Sequence, residues 1–302
     1  MDFAEVAIEC AGITMSNEVI RCDGQECTVD IDRAGTGREI LLLPALSSIS
    51  TRRELRALQA ILAASFSTIA SDWPGFGERQ KPFVDWRPQI YEAYLSHLLT
   101  HVVPRPFAIV AAGHAAGYVV KHCARHPDAA ARLVLLSPTW RGPLPTMMSG
   151  DRPVFAKLAR AFDPPLLGAM LYRLNVNRFV VGMMARGHVY GDPRWLDGKR
   201  MTEKLAVTRA SGARHGSARF VTGRLDPFRS REEQLAAAKR LAVPTLVMFA
   251  ETAPRKSRLE MEALAALPNI RTERVARGKL SFYEEFPEDT VAVIRAFLAG
   301  GA

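Results

Sequence analysis

The chain has 302 residues, 48% hydrophobic and 24% charged, a composition typical of a globular protein that buries a substantial core. Its net charge of +9 comes from basic residues scattered along the whole chain, without a basic arm or a nucleic-acid-binding motif, so we expect no nucleic-acid partner. The N-terminal residues lack a signal-peptide pattern and no stretch approaches about 20 apolar residues, so we expect no membrane span and a cytoplasmic location.

The cysteines predict no metal site. Cys22 and Cys27 are separated by four residues, and the sequence has no second Cys or His pair that would complete a zinc site with them. They flank Asp23-Gly24, a hairpin turn signal, so we expect free thiols on neighbouring strands. The remaining cysteines are Cys10 and Cys123. We therefore expect neither a metal nor another cofactor.

The first half of the chain alternates predicted strands and helices. Residues 4–10 and 26–33 are predicted to form a hairpin, and residues 39–43 a buried strand that ends at Pro44. There follow a helix over 51–64, a strand over 66–70, a helix near 88–101, a strand over 106–111, a helix over 118–125 and a strand over 132–136. This alternation predicts an α/β fold with a mostly parallel central sheet and helices on both faces.

The alternation stops between residue 139 and about residue 218, where helical segments contain Met, aromatic residues and Pro. It resumes with a helix over 230–241, a strand over 245–250, a helix over 257–267, a strand over 270–275 and a last helix from Pro287. The simplest interpretation is a core of residues 1–139 and 219–302, with residues 140–218 inserted as a helical cap. Such a cap would cover the carboxyl ends of the strands, where open α/β sheets bind ligands.

Residues 113–117 read Gly-His-Ala-Ala-Gly and lie between a predicted strand and a predicted helix. A strand, a tight turn and a helix form the context of a nucleophile elbow, in which two glycines flank the attacking residue. The central residue here is Ala115, whose methyl group cannot attack a substrate.

Together with this elbow, three motifs make the chain resemble the α/β-hydrolase superfamily, in particular its cap-bearing epoxide hydrolases and haloperoxidase-like esterases. They are LLLPALSS at 41–48, DWPGFG at 72–77 and YEEFP at 283–287. The resemblance covers nearly the whole chain and implies an α/β-hydrolase fold with an inserted helical cap. It also implies that the N–H groups of Leu46 and Ala116 form an oxyanion hole, and that Asp72 fixes a turn.

The same resemblance places the nucleophile at Ala115, the acid at Ala253 and the base at Leu280, so the Ser-Asp-His triad is absent. Losing one triad member typically costs about 10⁴ to 10⁶ in turnover. The carboxylate nucleophile of dehalogenases and epoxide hydrolases is missing from the elbow as well. Glu251 is the carboxylate nearest the acid position, and a surface ion cluster is its simpler interpretation.

We identify nine candidates for contact with a ligand between core and cap. Leu46 and Ala116 would bind an oxygen atom through their backbone N–H groups. The others offer hydroxyl, imidazole, guanidinium or aromatic groups: Ser47, His114, Trp140, Arg141, Tyr172, His188 and Tyr190. Each also has a purely structural interpretation, such as packing, a loop hydrogen bond, a hinge or a turn.

Three functions remain open. The first is a pseudoenzyme that binds a small apolar or weakly anionic molecule without serine-hydrolase activity. The second is a non-hydrolytic enzyme, such as a lyase, isomerase or cyclase, that uses the oxyanion hole and a cap Tyr or His. The third is a hydrolase whose nucleophile has moved to Ser47, Ser48 or Ser281, beside His114 or His188. The sequence identifies neither the ligand nor the oligomeric state.

Overall fold

The computed structural model describes residues 12–300, which are built around one eight-stranded sheet. Its strands are β1 (Thr14–Cys22), β2 (Gln25–Ala34), β3 (Glu39–Leu43), β4 (Ser67–Ser71), β5 (Ala108–Ala112), β6 (Leu133–Leu136), β7 (Thr245–Ala250) and β8 (Ile270–Val275). Their order in the sheet is β1-β2-β4-β3-β5-β6-β7-β8. The pairs β1–β2 and β2–β4 are antiparallel, and the other pairs are parallel. The predicted mostly parallel sheet is confirmed.

Helices connect these strands. In chain order they are α1 (Arg56–Ala63), α2 (Pro88–His97), α3 (Ala115–Cys123), α4 (Pro143–Met147), α5 (Pro153–Ala161), α6 (Leu167–Asn175), α7 (Arg178–Met184), α8 (Gly198–Arg209), α9 (Ala213–Val221), α10 (Arg231–Lys239), α11 (Arg255–Ala265), α12 (Phe282–Glu285) and α13 (Pro287–Ala299). A 3-10 turn, Arg52–Leu55, precedes α1, and π turns follow α2 and α7.

Both faces of the sheet are covered by helices, as predicted. Successive residues of a strand point to opposite faces, and β3 is buried on both. Ile40 and Leu42 belong to a core that includes residues of α1 and α13. Leu41 and Leu43 belong to a second core that includes residues of α2, α3, α10 and α11.

The N-terminal hairpin differs from the prediction. Its first strand is β1, Thr14–Cys22, and the predicted strand over 4–10 lies outside the described residues. Asp23 and Gly24 form the predicted turn with positive φ angles of 49° and 80°. A two-residue hairpin turn requires the first strand to end directly before the turn. The sequence did not predict β1 because it is an edge strand with mostly exposed, polar residues. Cys22 and Cys27 are buried free thiols.

The segment between β6 and β7 contains α4 to α10, of which α4 to α9 (residues 143–221) are here called the insertion helices. Helix α9 runs to Val221, three residues beyond the predicted cap boundary at residue 218. Within residues 12–300, no helix combines the length and hydrophobicity that crossing a membrane requires.

Arg52 is the most buried cation that joins separate parts of the core, with only 2% of its surface exposed. Its Nη1 lies 2.8 Å from Asp72 Oδ2 and 3.5 Å from Asp30 Oδ2, and its Nε lies 2.8 Å from Asp32 Oδ1. Its backbone N–H also donates to Asp72 Oδ1 at 2.6 Å. Burial raises the pKa of Asp72 to about 6, against the opposing charge of Arg52. Arg52 thereby ties the 3-10 turn to β2 and to the end of β4.

Arg52→Ala is expected to lower the free energy of unfolding by about 3–5 kcal/mol, because it leaves buried carboxylates without their cation. The matched control is the adjacent Arg53→Ala, since Arg53 is 45% exposed and pairs with the surface residue Glu78. The control should cost at most about 1 kcal/mol. Urea unfolding of both variants measures the difference, and equal small losses would contradict the central role of Arg52.

Candidate functional site

The tight turn after β5 has a different register from the predicted elbow. Gly113 follows directly after β5 and has a left-handed φ of 51°, whereas Ala115 is the first residue of α3 and is fully buried. A Cβ atom on Gly113 would lie 3.0 Å from the Cβ of Ala45, in the loop after β3. The apex of the strand-to-helix turn is therefore Gly113. The placement of the apex at Ala115 is corrected by two residues.

Some backbone N–H groups beside this turn have no acceptor within residues 12–300. The Ala116 N–H donates to Gly113 O at 3.2 Å, so it does not supply the predicted donor. The N–H groups of His114 and Leu46 have no acceptor within residues 12–300. His114 is the residue after the apex, which is the position that supplies an oxyanion-hole donor in strand-turn-helix elbows.

A pocket of about 120 Å³ adjoins these donors and contains the turn residue Gly113. Its apolar wall consists of Ala45, Leu46, Ile49, Val189, Phe220 and Leu280. Its polar wall consists of Ser47, Ser50, His114, Ser137, Thr139, Tyr190, Lys204, Ser281, Tyr283 and Glu284. Both the core and the insertion helices contribute to the lining.

A larger open groove, of about 480 Å³, lies between β1 and α2 and is bordered by Arg87, Tyr94 and His97. It contains neither the turn at Gly113 nor the loop after β3. We take the smaller pocket as the candidate site because the free donors are there.

Four of the nine predicted ligand contacts line the smaller pocket: Leu46, Ser47, His114 and Tyr190. The other five are not among its lining residues: Ala116, Trp140, Arg141, Tyr172 and His188. Of the three expected triad positions, Leu280 lines the pocket, whereas Ala115 and Ala253 do not.

Trp140 and Arg141 both contact Glu260 and are not among the residues that line the smaller pocket. Trp140 Nε1 donates to Glu260 Oε2 at 3.2 Å, and Arg141 Nη2 lies 2.9 Å from Glu260 Oε1. Arg231 donates to both oxygens of the same carboxylate. These contacts hold the start of the insertion against α11. Tyr172 is buried on α6, and His188 lies in the π turn after α7.

None of the serines predicted as relocated nucleophiles hydrogen-bonds a histidine in the described part of the chain. The Ser47 hydroxyl bonds the Ser50 hydroxyl at 2.7 Å. The Ser217 hydroxyl donates to the Ser48 hydroxyl at 2.5 Å. The hydroxyls of Ser47 and Ser48 therefore stabilise their loop.

His114 is buried and uncharged. Its Nε2 lies 2.9 Å from Leu225 O, so Nε2 carries the proton that this carbonyl accepts. Its Nδ1 has no partner among residues 12–300. Burial lowers the pKa of His114 to about 4, so the ring is neutral at pH 7. Asp226 Oδ1 lies 3.6 Å from Nε2, but it accepts the N–H of Gly142, and burial raises its pKa.

Ser137 is a pocket residue that the sequence did not single out. It follows β6, has a positive φ of 44° and is 1% exposed. Its hydroxyl has no partner within the described chain. The Gly113 N–H donates to Leu136 O at 2.8 Å, which places Ser137 beside the turn.

A buried ionic network forms one side of the pocket and was also missed. Lys204 Nζ lies 3.0 Å from Glu284 Oε2 and 3.9 Å from Glu54 Oε2. Tyr190 donates to Glu284 at 3.0 Å, and Tyr283 donates to Glu54 at 3.1 Å. Lys204 and Tyr190 come from the segment between β6 and β7, so the network joins that segment to the core. Its members are distant in sequence, so no local motif marks them.

Burial and neighbouring charges together set the charge states of Glu54 and Lys204 in this network. The pKa of Glu54 is raised to about 7, first by burial and then by the neighbouring charge of Glu284, while Lys204 opposes the shift. Burial alone would lower the pKa of Lys204, but Glu284 and Glu54 raise it, so the ammonium stays charged. Glu54 also accepts the Ala45 N–H at 2.5 Å, which fixes the loop that carries Leu46.

The N–H groups of Leu46 and His114 have no acceptor within residues 12–300 and lie beside an apolar wall, an arrangement of the kind that suits an oxygen acceptor. No group of three or more His, Cys, Asp or Glu side chains within residues 12–300 is arranged to hold a metal ion.

Because the pKa of Glu54 is raised on folding, the folded protein keeps this proton between about pH 4.5 and 7, where the unfolded chain has lost it. The stability that the protonated Glu54 carboxyl contributes is therefore lost as pH rises from about 4.5 to 7. Glu54→Gln should become more stable relative to the wild type over the same window, by up to about 3 kcal/mol. Urea unfolding at several pH values measures this, with the exposed Glu251→Gln as the charge control. A pH-independent difference would contradict the buried, protonated state of Glu54.

Comparison with known proteins agrees with this architecture. The model of the Alpha/beta hydrolase family matches residues 40–293. No curated protein matches the chain. Similar solved structures include a mutant of the haloalkane dehalogenase DatA from Agrobacterium tumefaciens, with 15% identity, TM-score 0.72 and coverage of 97% of this chain and 99% of that chain.

A thermophilic esterase from Thermogutta terrifontis has 19% identity and TM-score 0.70, with 94% and 98% covered. A bromoperoxidase from Bacillus anthracis has 15% identity and TM-score 0.68, with 94% and 100% covered. At such identities these structures support the fold alone. The fold and the family match over residues 40–293 together show that the chain belongs to the alpha/beta hydrolase family.

Proposed function

We propose that this protein binds a small molecule carrying an oxygen acceptor in the pocket beside Gly113, and that it has no serine-hydrolase activity. The observation that carries the proposal is the pairing of two free backbone donors with a turn apex that has no side chain. The donors are the N–H groups of Leu46 and His114. The apex is Gly113.

We infer the lack of serine-hydrolase activity from the residues at the nucleophile, base and acid positions. The nucleophile position is Gly113, two residues before the Ala115 expected from the sequence, and glycine has no side chain that could attack a substrate. Leu280, at the expected base position, lines the pocket with an aliphatic side chain. Ala253, at the expected acid position, is buried and has no titratable group. Acyl transfer through a serine needs a nucleophile and a base in contact, and these residues provide neither.

The chemistry of the pocket limits the ligand. Two N–H donors favour a carbonyl or carboxylate oxygen over an ammonium group, which has no acceptor. The aliphatic and aromatic wall favours a short hydrocarbon portion. A volume of about 120 Å³ is somewhat smaller than the roughly 150 Å³ of a cavity that holds benzene, so the buried part of the ligand is small.

We further propose that residues 140–218 act as the cap of this site, over a core of residues 1–139 and 219–302. Val189, Tyr190 and Lys204 from this segment line the pocket. Lys204 is buried against Glu284 and Glu54, so the cap is held to the core by an ionic contact at the pocket wall.

One observation favours a second candidate, a hydrolase with a relocated nucleophile. The hydroxyl of Ser137 and the Nδ1 atom of His114 are both buried without a partner among residues 12–300, and both residues line the pocket. With its proton on Nε2, His114 has a lone pair on Nδ1 that could accept the hydroxyl proton. Ser137 is not one of the serines that the sequence suggested as a relocated nucleophile, which were Ser47, Ser48 and Ser281.

A fluorophosphonate probe followed by intact-mass measurement separates the two candidates. We expect no adduct on the wild-type protein, because no serine hydroxyl in the pocket forms a hydrogen bond to a histidine within residues 12–300. A serine esterase treated in parallel shows that the probe is active. A stoichiometric adduct that disappears in Ser137→Ala would contradict the binding function and establish the second candidate.

Ligand-detected NMR tests the proposed selectivity. Butyrate and 2-butanone should show saturation transfer from the protein, and n-butylammonium should not, since it has no oxygen for the two donors. Val189→Phe should abolish the signal by filling the pocket, whereas Val154→Phe, at an exposed position, should leave it unchanged. Equal signals from butyrate and n-butylammonium, or butyrate signals that survive Val189→Phe, would contradict the assignment of this pocket.

A further inference from the structure

Helices α5, α6 and α7 and the residues beside them expose several large apolar side chains to solvent. Its most exposed apolar side chains are Leu166 at 87%, Phe179 at 72% and Leu174 at 62%. Leu167, Met170 and Met183 are about half exposed. We call these side chains, with the exposed residues between 152 and 186, the outer insertion surface.

The same three helices already pack their opposite sides into the protein. Phe155 of α5 and Tyr172 of α6 are buried, and Val181 of α7 packs with Met201 and Leu205 of α8. A helix that covers a core normally presents a polar face to water. Exposed apolar side chains concentrated along one segment in this way indicate a docking site.

The outer insertion surface is also strongly basic. Between residues 152 and 186 the only acidic residue is Asp163, which already pairs with Arg219 and His215. None of the basic side chains there forms a salt bridge within residues 12–300, and all six are exposed: Arg152, Lys157, Arg160, Arg173, Arg178 and Arg186.

Charge decides which partner fits. In a two-fold dimer through this surface, each copy would place its unpaired cations against those of the other, which is unfavourable. An anionic lipid surface instead supplies phosphates to the cations and an apolar interior to the Leu, Met and Phe side chains. Helices that lie in the membrane interface combine these two side-chain types.

We propose that the outer insertion surface docks this protein on anionic membranes. Leu166, Leu174 and Phe179 enter the boundary between headgroups and acyl chains, and the surrounding arginines contact lipid phosphates. The docked face belongs to the segment whose residues Val189 and Tyr190 line the pocket, so docking places that segment against the bilayer. The proposal is independent of whether the pocket binds a ligand.

Flotation of the full-length protein with vesicles tests the proposal. The vesicles are phosphatidylcholine alone or phosphatidylcholine with about 30% phosphatidylglycerol, at low and at high salt. We expect binding to the anionic vesicles that is at least about tenfold stronger than binding to phosphatidylcholine and that decreases with salt. Equal binding to both vesicles, or no binding to the anionic vesicles at low salt, would overturn the proposal.

Two pairs of variants separate docking through this surface from general attraction of a basic protein. Leu166→Ser/Leu174→Ser/Phe179→Ser keeps the net charge and should lower partitioning at least tenfold, whereas Val19→Ser/Leu259→Ser, at exposed positions elsewhere, should not. Arg173→Glu/Arg178→Glu should weaken binding at least tenfold more than Arg240→Glu/Arg271→Glu, which changes the net charge equally at other exposed positions.

Circular dichroism melting confirms that each variant is folded before its binding is compared. Equal losses in a variant and its matched control would overturn the proposal, because the attraction would then be nonspecific. Sedimentation analysis without lipid provides a further check. Self-association that the triple serine variant abolishes would assign this surface to a second copy of the chain, and would likewise overturn membrane docking.

Discussion

The position of the candidate site depends on one buried cation, Arg52, held among the carboxylates of Asp30, Asp32 and Asp72. These contacts fix the short 3-10 turn that carries Arg52 against the sheet. Glu54, two residues later in the same turn, bonds the Ala45 N–H and lies near Lys204. The geometry of the donor loop and its connection to the insertion helices therefore follow from a single ionic anchor in the core.

In the function we propose, the pocket retains the backbone donors of a hydrolase site and lacks its nucleophile and base. Backbone donors are set by the course of the chain through the strand-to-helix turn, so they persist when side chains change. The nucleophile and base are side chains, and the apex here is Gly113 while Leu280 occupies the expected base position. Membership of a family therefore leaves the activity open, because the same fold supports sites with different chemistry.

Local sequence patterns predicted most of the sheet because its central strands are short apolar runs. The polar edge strand β1 has no such pattern, so it was not predicted, and the first strand of the hairpin was expected over residues 4–10 instead. The elbow register was ambiguous, since Gly113-x-Ala115-x-Gly117 and Ala111-x-Gly113-x-Ala115 are both patterns of small residues. Only the backbone, with its positive φ at Gly113, distinguishes them. The contacts of Glu54 with Lys204 and Tyr283 join distant segments, which local patterns do not detect.

In the function we propose, the N–H groups of Leu46 and His114 hold the oxygen of a small ligand. This binding is tested most directly by following the backbone amide resonances of an isotope-labelled sample during a butyrate titration. We expect the Leu46 and His114 resonances to shift together, with one dissociation constant, and the hydrogen-bonded Ala116 amide to shift far less. If butyrate binds while both resonances remain unchanged, the two donors do not form the site and the account is contradicted.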